Sequence, residues 1–579
     1  MHFKTRKLWH LFVVVVALAD ILGLAAWTDP VSDLNLTLHG RLMQASPWAE
    51  PCYAGPNSTA CAAIRTASPS LLLRTQQYQG FENFQSEACI AKPENQCPLP
   101  DLGSAGEATG SCKQGLVSPH YVAVASAADA HTVFSYARAH KIQLSVKNTG
   151  HDYAVRSSRR GSLALWTRNL RDMVFHPSFT PHGCSSLVRD ADSHEEAHQA
   201  ALTLGAGVDA DAALVFAHEH GVVFTAPSAG SLGASGGWLL NGGHSAISNT
   251  YGLAVDRVRQ FAVATADGET RIANRCTNPD LFWALRGGGG GAFGIVLNST
   301  WIAEPEQPMI SAYISFPANA QNQQPFVDIV TKGMRNSTLA GWGGIYTTNF
   351  ALLNNFRTND ARANQTLAPL IQYAESQNGS SIVQTHDSYF DYYVQYINGS
   401  FASPAVANTA SFVTSRLIPD DVFGQSVTRE QMVDVVMQMA SLGLTPFLLA
   451  NTPYLYAQTN RGAGRTTSIN PIWYRSLSHL VAQGFGWPST ASLARRREVV
   501  ARLRNATQSL RQMAPGGGTY ANEADPWLEN WSEEFWGANY GRLLQIKRKY
   551  DPYNLLSCWH CVGWEEHLPD YDCISDLVA

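Results

Sequence analysis

The segment Lys147-Asn148-Thr149-Gly150-His151-Asp152-Tyr153 constrains this chain more than any other stretch. Before it, Ile142-Gln143-Leu144-Ser145-Val146 predicts a short buried strand. The backbone must turn at Asn148-Thr149-Gly150, and only Gly150 takes positive φ there without cost. A tight turn leaving a strand gathers successive N–H groups into one concavity, which suits a diphosphate. His151 then stands at the mouth of that concavity as a nucleophile. Taken alone, the heptapeptide fits an ordinary β-turn with a surface histidine equally well.

A second stretch changes that balance. Ala226-Pro227-Ser228-Ala229-Gly230-Ser231-Leu232-Gly233-Ala234-Ser235-Gly236-Gly237 runs on through Asn241-Gly242-Gly243-His244. So many glycines inside a folded domain cost backbone entropy, and close approach of the backbone to a ligand accounts for them. Trp238, Leu239 and Leu240 are poor residues for a flexible linker.

With 579 residues the chain is too long for one core, and two or three domains are expected. A net charge of -5 argues against nucleic acid as a partner. Residues 1–26 have the form of a signal peptide: Lys4, Arg6 and Lys7, an apolar run from Leu8 to Leu24, then Ala25-Ala26. Asp20 interrupts the run and favours a cleaved signal over an anchor, so no stable membrane partner is expected. Nine Asn-x-Ser/Thr sequons, at Asn35, Asn57, Asn298, Asn336, Asn364, Asn378, Asn398, Asn505 and Asn530, agree with secretion and N-glycosylation. Ten cysteines point to an oxidising compartment, with Cys52–Cys61 and Cys89–Cys97 as plausible local bridges. Cys558-Trp559-His560-Cys561 has no second ligand pair and no βαβ unit around it, so it reads as structural.

Residues 27–114 are rich in Pro, Ser, Ala and Cys, without periodicity, and read as a disulfide-stapled extension. A strand at Tyr121–Ala125 leads into a helix whose capping box is Ser126 and Asp129 and which ends near His140. Leu202–Ala206, a helix from an Asp209 cap to a Gly221 stop, and Val222–Phe224 predict a second strand–helix–strand unit. A hairpin over Val258–Ile272 turns at Asp267-Gly268. Gly289-x-Gly291-x-x-Gly294 matches the dinucleotide fingerprint in letters only, because a helix (Asn278–Arg286) precedes it and a strand follows. From about Glu304 to Pro515 strand patterns such as Ile310–Phe316 alternate with helical ones such as Arg429–Ser441.

The His151 turn, with Arg156-Ser157-Ser158 and Gly161–Thr167 after it, resembles the flavin-attachment segment of the FAD-linked oxidoreductases of the vanillyl-alcohol oxidase type, berberine-bridge-enzyme-like branch. The glycine-rich loop resembles that family's second FAD-contacting loop, and the helix, glycine run and strand over 278–297 match the end of its FAD domain. Tyr520–Asp525, Phe535–Leu543 and Lys547–Leu556 resemble its closing segment, Lys549-Tyr550-Asp551-Pro552-Tyr553-Asn554-Leu555 most of all. The resemblance implies an α+β fold: a PCMH-type FAD domain at 115–303, an inserted α+β substrate domain at 304–517, and a C-terminal segment at 518–579 returning to the FAD domain. It implies FAD contacts from Lys147, Asn148, Thr149, Gly150 and Asp152. The second loop would add Gly230, Ser231, Gly233, Ala234, Gly236, Gly243 and His244, and the strand Gly294, Ile295 and Val296, with Asn539 near the flavin ring. His151 would carry the FAD covalently. Some relatives attach the flavin again through a cysteine where this chain has Ala226, so one bond is expected.

No Ser-His-Asp elbow, Walker loop or metal-ligand spacing stands out, so the chemistry should belong to the cofactor. The resemblance places the base that deprotonates the substrate in the Tyr520–Asp525 region, with Tyr520 and Glu523 as candidates. The expected activity is oxidation of a small molecule, an alcohol, a sugar or a cyclising secondary metabolite, with O2 as acceptor. A dehydrogenase with another acceptor and a non-catalytic flavin-retaining protein are the alternatives.

Overall fold

The computed structural model describes residues 30–100, 111–184, 199–398, 407–460, 462–565 and 571–578. The signal-like segment lies outside them. Among the described residues no helix is long and apolar enough to cross a membrane.

The strand before the His151 turn, Leu144–Lys147, is the last member of a four-stranded sheet ordered Leu42–Gln44, His120–Ala123, Leu163–Trp166, Leu144–Lys147. His120–Ala123 and Leu144–Lys147 both run parallel to the strand between them. The helix Ala127–His140 connects them, and its Ser126–Asp129 capping box is present in full. Val122, Val124, Leu144 and Leu165 make the core under this helix. The turn thus leaves the C-terminal edge of a parallel sheet, where open α/β sheets present their loops to ligands.

A five-stranded antiparallel sheet follows, ordered Met173–His176, Ala201–Gly205, Ile295–Ile302, Val258–Ala264, Thr270–Ala273. The Asp267-Gly268 hairpin joins its last two strands. The second strand–helix–strand unit does not form within one sheet. Asp209 caps the helix Ala210–Glu219 as expected. The strand Val222–Val223 then pairs with Glu304–Pro305 instead. Ala201–Gly205 is already paired on both edges, which leaves no ladder for a returning strand. At the false fingerprint, the helix Pro279–Leu285 precedes the glycines and Ile295–Ile302 follows them.

A seven-stranded antiparallel sheet is built from residues 309–488. The helices Gln323–Leu339, Asp360–Ser376, Ser426–Ser441 and Leu493–Met513 cover one face. Strand alternation decides which residues go where. Leu448, Ala450, Leu480 and Ala482 pack under the helices, whereas Phe447, Leu449 and Val481 point to the opposite side. The C-terminal helix Tyr540–Tyr550 returns to the first two sheets. Leu543, Ile546 and Tyr550 join the core that holds Leu202 and Phe261, and Leu555 and Leu556 join that of the parallel sheet. The buried Lys547 Nζ closes this junction, donating to Asp551 Oδ2 (2.6 Å), Leu556 O (2.7 Å) and Ala292 O (2.8 Å).

All ten cysteines are paired: Cys52–Cys61, Cys89–Cys573, Cys97–Cys112, Cys184–Cys276 and Cys558–Cys561. The expected Cys89–Cys97 bridge is therefore wrong. Ala91 N donates to Cys573 O at 3.0 Å, which lays this turn against the short helix Asp572–Ser575 and brings Cys89 to a partner 484 residues away. The N-terminal extension is also more regular than its composition implies, with short helices at Thr59–Ala67 and Leu71–Thr75, among others, and a strand, Leu42–Gln44, added to the parallel sheet.

Candidate active site

A cavity of about 820 Å³ opens between the His151 turn, the glycine-rich loop and the uncovered face of the seven-stranded sheet. Ligand sites commonly fall between about 300 and 1,000 Å³. Three backbone segments converge on one end. A Cβ at Gly233 would lie 1.8 Å from Asn148 Oδ1, one at Gly236 2.8 Å from Asn148 Cγ, and one at Gly290 3.0 Å from Gly237 Cα. Only glycines allow this approach. Asn148 Nδ2 is held by Thr167 Oγ1 (2.9 Å) and Ala206 O (2.5 Å), while its Oδ1 is buried without a partner, as is Asn241 Oδ1. A long cradle with orphaned acceptors suits a ligand rich in hydroxyl and amide donors, and FAD fits that description.

The turn itself is tightly built. Gly150 takes φ +88°, and Trp166 Nε1 donates to Asn148 O at 3.0 Å. Asp152 accepts from the backbone N–H groups of Ala154 (3.0 Å), Arg156 (2.6 Å) and Ser157 (2.6 Å), which curls the chain after His151. The His151 ring is fixed at both nitrogens: Nε2 lies 2.8 Å from Ser231 Oγ and Nδ1 3.3 Å from Glu82 Oε2.

Asn148, Thr149, Gly150, His151, Asp152, Gly233, Gly236, His244, Gly294, Val296, Tyr520 and Glu523 all line the cavity. The other expected residues stand behind the wall. The Lys147 ammonium is buried and donates to Gln77 O (2.9 Å), Tyr78 O (2.7 Å) and Gly80 O (2.7 Å), so it holds the N-terminal segment. Gly230 makes room for Asp211 and Gly243 for Ala254, Ala234 and Ile295 are core, and Ser231 acts through His151. Asn539 Nδ2 donates to Ile469 O (2.9 Å) and Ser468 O (3.3 Å), away from the cavity.

Also lining the cavity, His244 Nε2 lies 2.9 Å from Glu523 Oε1, and Asn451 Nδ2 lies 2.5 Å from His244 Nδ1. His479 Nδ1 is 3.8 Å from Glu523 Oε2 and has no hydrogen-bond partner. Burial pushes the Glu523 carboxyl up, but the charge and hydrogen bond of His244 outweigh it and hold it below the usual range. Burial pushes His479 down to about 3, so it stays neutral. Burial and the Glu523 charge push the Tyr520 phenol far up, and its hydroxyl is engaged with Asn522 Nδ2 (2.7 Å) and Trp238 O (3.3 Å). Glu523 is thus the ionised acceptor of the pair and Tyr520 a protonated neighbour. Glu82, Asn451 and His479 belong to no motif, and the spacing of the sequence carried no signal for them as site residues; Tyr153 closes the His151 heptapeptide but is not predicted as a site residue.

Much of the remaining wall is apolar, broken by Arg156, Thr445 and Gln483. Ile345, Val413, Phe447, Leu449 and Val481 present one sheet face, and Tyr313, Tyr392 and Tyr396 stand at the other side.

A family model described as FAD binding domain matches residues 118–274, and one described as berberine and berberine like matches 519–560. By structure, the chain is similar to the VAO-type flavoprotein MtVAO615 from Myceliophthora thermophila, with a TM-score of 0.78 at 25% identity over 93% of this chain and 96% of that one. A glucooligosaccharide oxidase from Acremonium strictum, described with a 6-S-cysteinyl, 8α-N1-histidyl FAD, shares the fold at a TM-score of 0.61 and 18% identity, over 77% and 92% of the two chains. In sequence it is similar to the FAD-linked oxidoreductase ffsJ of Aspergillus flavipes, 36% identical over 97% of this chain and 95% of the relative. It is 38% identical to the FAD-linked oxidoreductase cheF of Chaetomium globosum over 94% and 88%. This chain belongs to the FAD-linked oxidoreductases of the vanillyl-alcohol oxidase type, in their berberine-bridge-enzyme-like branch.

Proposed function

We propose that this FAD-dependent oxidoreductase is a secreted oxidase with one covalent flavin bond, acting on a bulky, largely apolar alcohol or cyclising metabolite. The observation that carries the reading is the Glu523–His244 pair in a cavity also lined by the apolar face of the seven-stranded sheet and by three tyrosines. Bound FAD supplies hydride acceptance and the onward transfer of two electrons, in our reading to dioxygen. The protein's part is to orient the substrate and take its proton. Glu523 accepts the hydroxyl proton, His244 keeps the carboxylate ionised until then, and Asn451 holds the imidazole in place. The apolar sheet face excludes water and favours hydrocarbon over a free sugar, whose hydroxyls would lose water without finding enough partners.

For attachment, His151 is the nucleophile and Ala226 replaces the second attachment point. With every cysteine in a disulfide, no thiol is left to make another bond. Secretion is supported by those disulfides and by seven sequon asparagines that are solvent-exposed, whereas Asn35 and Asn298 are half-buried. Appearance in the culture medium with a mass that falls on endoglycosidase treatment checks it.

The test has two parts. Anaerobic addition of apolar secondary alcohols should bleach the flavin, and air should restore its colour with release of peroxide. Glu523→Gln should slow bleaching by about 10²–10⁴-fold with FAD retained. Bleaching at the wild-type rate in Glu523→Gln would remove Glu523 from the chemistry, and bleaching without peroxide would make the enzyme a dehydrogenase.

A further inference from the structure

The residue nearest the proposed attachment nitrogen comes from the N-terminal extension, outside every motif. Glu82 lines the cavity with its Oε2 3.3 Å from His151 Nδ1. Its position is built rather than incidental. The Glu82 N–H donates to Gly150 O at 3.1 Å, one residue before the histidine. Asn83 Nδ2 donates to Asp152 O (3.4 Å) and Ser86 Oγ to the same oxygen (3.4 Å), while Lys147 ties down residues 77, 78 and 80. The Arg74–Glu87 ion pair braces the loop from behind. Asn83 Nδ2 also donates to Glu82 Oε2 at 3.2 Å, and the Tyr153 hydroxyl hydrogen-bonds the same carboxylate. The Glu82 side chain therefore meets three groups, and one of them is the nucleophile.

We propose that Glu82 is the base of flavin attachment, acting at Nδ1 of His151, the ring position that the 8α-N1-histidyl bond of the Acremonium strictum oxidase also uses. This rests on the covalent His151 reading. The Ser231 hydroxyl, behind the wall, donates to Nε2, so the single ring proton sits at Nδ1, where Glu82 takes it as the N–C bond forms. The lone pair is then at the nitrogen that faces the ligand. In the balanced reaction an N–C bond forms between Nδ1 and the flavin's 8α carbon. One hydrogen leaves the imidazole and one leaves the methyl group, and the two electrons and two protons reduce dioxygen to hydrogen peroxide. The N-terminal extension is thus part of the machinery that builds the holoenzyme.

The experiment follows acid-stable flavin in the secreted protein. Wild type should keep its flavin through acid precipitation on one peptide containing His151, with NMR of that peptide showing the bond at Nδ1. Glu82→Gln should bind FAD but release it in acid, with attachment slowed by about 10²-fold or more, and Glu82→Asp should recover part of it. Formate added to Glu82→Ala should accelerate attachment, an effect that a merely structural glutamate would not give. Attachment at the wild-type rate in Glu82→Gln, absence of formate rescue, or a bond at Nε2 would overturn the assignment. A wild-type protein whose flavin washes out in acid would instead sink the covalent reading on which it rests.

Discussion

Replacing Lys147 by Met tests how the site is held together. The ammonium makes three bonds of 2.7–2.9 Å to the carbonyls of Gln77, Tyr78 and Gly80, and lies 4.2 Å from the centre of the Phe81 ring. Charged-donor bonds contribute about 1.5–3 kcal/mol each, so roughly 5–9 kcal/mol of contacts is lost. Against this, a buried ammonium costs several kcal/mol in desolvation, which is why burial holds the Lys147 pKa well below its usual value. Methionine removes that cost and fills the same aromatic cage, but it leaves three buried carbonyls unsatisfied at about 1–3 kcal/mol each. The balance is a destabilisation of about 3 kcal/mol, concentrated in residues 77–86. Expressed as local opening, this is a factor of about 10². Hydrogen exchange at the Glu82 amide, bonded to Gly150 O, should accelerate by that factor, while amides of the seven-stranded sheet stay as they were. Unchanged exchange at Glu82 in Lys147→Met would refute the view that the lysine pins the loop.

Two further outcomes follow from the same structure. Gly233→Ala puts a carbon 1.8 Å from Asn148 Oδ1, so the cradle must shift, and the variant should fold with its disulfides but bind FAD at least about tenfold more weakly, read by fluorescence titration. Burial raises the Asp256 carboxyl to about 6 from an ordinary value near 4, so between those pH values the folded state binds more protons than the unfolded one. Stability should therefore be fully present below about pH 4 as far as this group is concerned and fall by up to about 1.4 kcal/mol per pH unit towards pH 6. Denaturant titrations across that range should show the slope in the wild type and lose it in Asp256→Asn.

Local chemistry carried much of this architecture. The Ser126–Asp129 capping box, the Asp209 cap, the Asp267-Gly268 turn and the order of helix, glycines and strand at 279–302 are short-range devices, and each forms where its residues stand. The turn at Gly150 and the crowding at Gly233 and Gly236 were legible because glycine betrays a close approach. What was hidden depends on distance along the chain. Nothing near Cys89 encodes Cys573, and nothing near Phe81-Glu82-Asn83 encodes a contact with His151. His479 reaches the site from a strand, and Asn451 from the position just after one, where the alternation of residues explains burial but not chemistry. Lys147 and Asn539 matched the motif and still turned away from the cavity, because a motif fixes residue type and not which way a side chain points.

The Cys89–Cys573 bond also sets an order in time. It lies seven residues from Glu82 on one side and close to the end of the described chain on the other, so it closes a ring that contains the His151 turn, the glycine-rich loop and the whole substrate face. During synthesis the loop bearing Glu82 emerges before the His151 turn it packs on, and Cys573, the partner of Cys89, emerges after both. A growing chain therefore carries the loop and the turn before the bond between Cys89 and Cys573 can close. The covalent brace beside the site therefore waits for residue 573 and for an oxidant of the two thiols.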